Sequence, residues 1–118
     1  MINLCINQRR VEEVIVLDLK GRIRIAGITI ALHKSIRSLV KEGKTKILLD
    51  LSQVTHIDSS GLGELISSHV TLSDKGGAIK LMHLTESLRG LMTITKLLTI
   101  FDVYDDEREA VASFMGET

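Results

Sequence analysis

The 118-residue sequence has no proline, a single cysteine and only 3% aromatic residues. With Cys5 alone, no intrachain disulfide can close, and a cysteine-based zinc site is not expected. Without proline, nothing breaks a helix or a strand from within. With so few aromatic rings, aliphatic side chains must fill the core. Charge of one sign is also missing, since fifteen Lys and Arg balance fifteen Asp and Glu. No long-range field would draw such a chain to nucleic acid or anionic lipid, so no direct nucleic-acid contact is expected. Arg9 and Arg10 read as a solvated turn. No apolar run exceeds five residues, which rules out a membrane-spanning helix. The N-terminus lacks the basic and apolar regions of a signal peptide. The expectation is a soluble protein of a reducing cytoplasm.

Hydrophobic residues make up 44% of the chain and charged residues 25%, a globular composition. The length suits one domain, residues 1–118, able to bury roughly two-thirds of the surface that the unfolded chain exposes.

Ile2–Ile6 alternates apolar and polar residues, and Val14–Leu19 (VIVLDL) is rich in β-branched residues, so both read as strands. The short connection from Gln8 to Glu13 favours an antiparallel pair, and Gly21 is read as the end of the second strand. From Ile28 the period changes. Ile28, Leu32, Ile36, Leu39 and Val40 share a helical face, and Gly43 stands at a C-cap position. Lys46–Leu51 reads as a short buried strand, followed by a polar loop. After Asp58-Ser59-Ser60-Gly61 a second helix begins, with Leu62, Leu65, Ile66 and Val70 as its apolar stripe and Gly76-Gly77 at its end. Ala78–Leu84 is a strand, Glu86–Leu98 a helix and Ile100–Tyr104 a short last strand. Asp106 with Glu109 opens a final helix in capping-box fashion, its residues Ala110, Val111 and Phe114 facing inward. The order ββαβαβαβα predicts an α/β fold: a mixed, mostly parallel sheet of about five strands covered by helices.

The most informative stretch is Asp50–Glu64, DLSQVTHIDSSGLGE. Asp and Ser before a helix serve as N-caps. One cap residue is enough, yet three precede two closely spaced glycines here. Gly63 lies inside the helix, where glycine costs about 1 kcal/mol, and this suggests close approach by a neighbouring element or a partner. Free N–H groups and the positive end of the helix dipole also favour a phosphate at this place.

Three segments, KILLDLSQVTHIDSSGLGEL (46–65), GGAIKLMHL (76–84) and ITKLLTIFDVYDDEREAVASF (94–114), resemble the STAS domains of anti-sigma factor antagonists. The resemblance implies a non-enzymatic partner switch without cofactor or metal. The unmodified antagonist would bind an anti-sigma factor with serine kinase activity. Phosphorylation of the first serine after the motif Asp would dissociate the complex, and a PP2C-type phosphatase would restore it. Carried over, the acceptor is Ser59. Asp58, Ser60, Gly61, Gly63 and Glu64 form its partner-binding setting, and Leu62 anchors the helix in the core. Family members often carry an acid shortly after the glycine that follows the second strand. This sequence has Gly21-Arg22-Ile23-Arg24, so Arg24 is read either as partner-binding, toward an acidic group or the phosphate, or as a solvated arginine.

Other readings fit less well. No nucleophile elbow, Walker A or G-x-G-x-x-G sequence occurs. Among the histidines, His33, His56, His69 and His83, only His56 is near Ser59 in sequence, and a loop histidine is more often plain surface. A receiver domain with Asp50 as acceptor lacks the acidic pair needed for Mg²⁺, and Asp50 is read as bonding the following loop. A STAS interaction subunit of a lipid-transport ABC complex or of a stress-sensing assembly is the alternative, and it would need no phosphorylatable serine.

Overall fold

A computed structural model describes residues 4–23 and 27–116, with side chains described for 5–21 and 31–116. The chain begins as a hairpin. Strand β1 (Leu4–Val11) pairs antiparallel with β2 (Val14–Ile23) through a tight turn at Glu12-Glu13. Both strands are longer than their sequence patterns suggest. The turn is made by glutamates, and Glu12 adopts φ 56°, a conformation normally left to Gly, Asn or Asp. Gly21 does not end β2. It adopts φ 119° inside the strand, beside a register shift at Gly21/Arg22.

Helix α1 (Gly27–Lys41) leads to β3 (Lys46–Ile57), which continues through the stretch read as a loop. Two register shifts against β2 set Leu51, Val54 and Ile57 as the buried residues. This spacing of three hides the strand from an alternation test. Helix α2 (Ser59–Asp74), β4 (Ala78–Met82), α3 (Glu86–Ile94), a 3₁₀ turn (Leu97–Thr99), β5 (Val103–Tyr104) and α4 (Glu107–Phe114) complete the chain.

The sheet order is β1-β2-β3-β4-β5, antiparallel at the first pair and parallel at the other three. Strands in sequential order with crossovers of one hand place the crossover helices on one face. Leu32, Ile36 and Leu39 of α1, Leu65 and Leu72 of α2, and Leu88 and Met92 of α3 accordingly pack with Ile15, Leu17, Leu19, Ile47, Leu49 and Leu81. Burial of each such side chain stabilises the fold by about 1.5–3 kcal/mol. Ala110 and Val111 of α4 cover the other face over Val14, Val16, Leu48 and Met82.

Arg9 is not in a turn. It lies on β1, donating through Nε to Asp18 Oδ2 at 2.7 Å and through Nη2 to Glu107 Oε1 at 2.6 Å, and so ties the hairpin to α4. These bonds hold the carboxyls of Asp18 and Glu107 below their usual range and raise the Arg9 guanidinium.

Candidate functional site at the start of the second helix

Strand β3 ends at Ile57, whose side chain is buried, so Asp58 leaves the sheet at a fixed point. Asp58 takes extended backbone angles and caps α2. Its Oδ1 accepts from the backbone N–H of Ser60 at 3.0 Å and of Gly61 at 3.1 Å. The Ser60 hydroxyl donates to the same oxygen at 2.7 Å. The two serines are therefore not equivalent. Ser60 is half-buried and its hydroxyl is held by the cap. Ser59 is exposed at the first helical position, and its hydroxyl makes no hydrogen bond among the described residues.

The inner face of α2 consists of Gly61, Leu65, Ser68 and Leu72, while Leu62 packs at the edge of the core. Ile66 and Val70, expected inside, are 37% and 52% exposed. They follow Ser59 and Gly63 at steps of three and four residues, so Ser59, Gly63, Ile66 and Val70 form one outward stripe. A Cβ built on Gly63 meets nothing within 4 Å. Among the described residues no neighbouring element explains this glycine, and the space above it is open.

Glu64, expected to face a partner, turns sideways instead. Its side chain is only 9% exposed and accepts from Ser68 Oγ at 2.9 Å. His33 Nδ1 on α1 lies 2.9 Å from its other oxygen. Glu64 thus joins α2 to α1, because a buried carboxylate must be paired. Gly61 is buried as well. Arg24 lies outside the described residues. The paired role of Glu64 and the outward stripe were both missed by the sequence reading. The 59/63/66/70 spacing was the available signal for the stripe.

The other histidines are not gathered here. His56 is exposed on β3, and no hydrogen bond joins it to Ser59 among the described residues. His69 packs edge-on against Phe101 with ring centroids 5.4 Å apart. His83, just after β4, has φ 60°. Asp50 accepts from the Ser52 backbone N–H at 3.0 Å, which is local bonding of the following segment. Among the described residues no group of His, Cys, Asp or Glu is placed to hold a metal ion. No helix among them is long and apolar enough to cross a membrane.

A helix start capped by Asp58 after a parallel strand thus carries an exposed serine at the head of an exposed outer stripe. Residues 6–110 match the model of the STAS domain family, and the chain belongs to that family. It is 30% identical over 106 residues to a Thermotoga neapolitana protein described as an anti-sigma factor antagonist, an alignment covering 90% of this chain and 94% of that one. It is 28% identical over 102 residues to the anti-sigma-B factor antagonist of Bacillus subtilis, covering 86% and 92%. The crystal structure of a Thermotoga maritima protein described in the same way superimposes with a TM-score of 0.83 at 25% identity, over 93% of this chain and 94% of that one.

Proposed function

We propose that this chain is a non-enzymatic anti-sigma factor antagonist that works as a phosphorylation-controlled partner switch. It binds an anti-sigma factor with serine kinase activity while Ser59 is unmodified. Phosphorylation of Ser59 releases that partner, and a PP2C-type phosphatase resets the switch. The observation that supports this reading is the division of labour between the serines: the Ser60 hydroxyl is held by Asp58, whereas Ser59 is exposed at the head of the stripe that continues through Gly63, Ile66 and Val70. In the free protein the helix N-terminus tolerates a phosphate at Ser59. In a complex the same group brings about −1.5 to −2 charges into a surface fitted to a neutral hydroxyl. Leaving such charge desolvated costs several kcal/mol, while a hundredfold loss of affinity needs only about 2.7 kcal/mol.

The test is a pull-down from cell extract followed by intact-mass measurement of the chain after incubation with the captured kinase and ATP. The expected result is one added phosphate on wild type and none on Ser59→Ala. A partner that binds stably and never modifies the chain would favour the constitutive interaction subunit.

A further inference from the structure

We infer that the outer face of α1 is a second docking element, one that takes an acidic segment of the same partner. The inference rests on the partner-switch reading and adds to it the chemistry of the partner's surface.

Lys34, Arg37 and Lys41 are exposed and follow one another at steps of three and four residues, so they form a single cationic stripe. With His33 and Ser38 they line a groove of about 350 Å³ that contains no acidic residue. Five cations elsewhere are paired: Lys44 with Glu42, Lys46 with Glu13, Lys80 with Asp102, Arg89 with Asp105, and Arg9 with Asp18 and Glu107. Arg10, Lys20, Lys75, Lys96 and Arg108 have no carboxylate within 4.0 Å among the described residues, but they do not join in one groove as Lys34, Arg37 and Lys41 do. None of the three stripe cations has a carboxylate within 4.0 Å among the described residues. The nearby carboxylate of Glu64 is taken by His33 and Ser68. The chain therefore leaves a positive groove uncompensated although its total charge is zero.

The groove is tied to the switch. His33 both lines it and lies 2.9 Å from Glu64, one turn beyond Ser59 on α2. A partner covering the stripe of Ser59, Gly63, Ile66 and Val70 has the α1 groove at its flank. The complementary surface is acidic, and opposite charges there raise the association rate and set the register of docking. An acidic partner surface also sharpens the switch, because a phosphate on Ser59 then meets like charge as well as desolvation. Duplex nucleic acid is disfavoured as occupant because the acidic residues equal the basic ones in number.

The experiment measures the affinity of the captured anti-sigma kinase for wild type, Ser59→Asp and the triple variant Lys34→Glu/Arg37→Glu/Lys41→Glu, in low and high salt. All three positions are exposed, and an unchanged urea midpoint verifies the fold. A neutral triple variant, Lys34→Gln/Arg37→Gln/Lys41→Gln, serves as the milder second form. The expected result is binding by wild type, none by Ser59→Asp, and at least about tenfold weaker binding by the Glu variant at low salt, with a smaller loss for the Gln variant. The difference should shrink in about 0.5 M NaCl, where exposed charges are screened. If both triple variants bind as wild type does while Ser59→Asp does not, the α1 inference is overturned and the switch stands. If wild type and Ser59→Asp bind equally or not at all, the switch reading itself fails. If instead the variants lose only self-association in sedimentation, or only binding to a duplex DNA probe, the occupant is a second copy or nucleic acid, and the inference is overturned.

Discussion

The hydroxyl of Ser60 donates to Asp58 Oδ1 at 2.7 Å, on the same oxygen that accepts the backbone N–H groups of Ser60 and Gly61. One carboxylate oxygen thus organises the start of α2 and occupies one of two adjacent serines. Which serine is available follows from this bond rather than from the order of the residues.

Substitutions at this turn should separate capping from modification. Asp58→Ala removes the acceptor and is expected to cost about 0.5–2 kcal/mol in urea unfolding. Ser60→Ala should still accept a phosphate at Ser59. Ser59→Ala should leave stability within about 0.5 kcal/mol of wild type, as for other exposed sites, and should abolish labelling by the kinase with ATP. Labelling of Ser59→Ala to the wild-type level would make Ser60 the acceptor.

Gly63 gives a prediction in which stability and binding move in opposite directions. It is exposed inside α2, and an added Cβ meets nothing within 4 Å. Gly63→Ala should therefore stabilise the free protein by roughly 0.5–1 kcal/mol. A partner that approaches this backbone closely would lose affinity for the same variant. Calorimetry of unfolding and of binding reads the two effects, and unchanged binding would show that the partner leaves Gly63 uncovered.

The joint between α1 and α2 depends on His33. In His33→Ala the Glu64 carboxylate stays buried with Ser68 as its remaining described partner. A loss of about 1–3 kcal/mol is expected in urea unfolding. Glu64→Gln keeps a hydrogen-bonding amide in the same place and should cost less.

Arg9 should control the response to acid. The hydrogen bonds from Arg9 hold Asp18 below its ordinary 3.8 and Glu107 below its ordinary 4.5. The folded state therefore takes up these protons less readily than the unfolded state. The resulting stability is complete above the ordinary values and is lost as pH falls through the lowered ones. Arg9→Gln should weaken the protein at neutral pH, and the gap from wild type should close once both carboxyls are protonated. Urea unfolding across an acid series measures this, and a gap that stays constant would assign the effect of Arg9 to packing alone.

The number and order of elements were legible because their periods differ. Ile36 and Leu39 recur as a helix requires, KILLDL is a short apolar strand, and Asp106 caps the last helix by accepting from Glu109 N–H at 3.0 Å. Such local patterns, together with the DSSGLG motif, determined the α/β order, the antiparallel start and the place of Ser59 at the head of α2. Tertiary pairing decided the rest. The Glu12-Glu13 turn carries no turn signature, yet the register from Leu4↔Gly21 to Val11↔Val14 extends both strands to it. The end of β3 is strand only because β2 lies beside it, with shifts that replace alternation by a spacing of three. On α2 the inward side is set by what packs there. Glu64 and Ser68 turn toward α1 because His33 awaits the carboxylate, and Ile66 and Val70 turn out in consequence. A helical period states which residues share a face. Only the neighbours of the helix decide which face is buried.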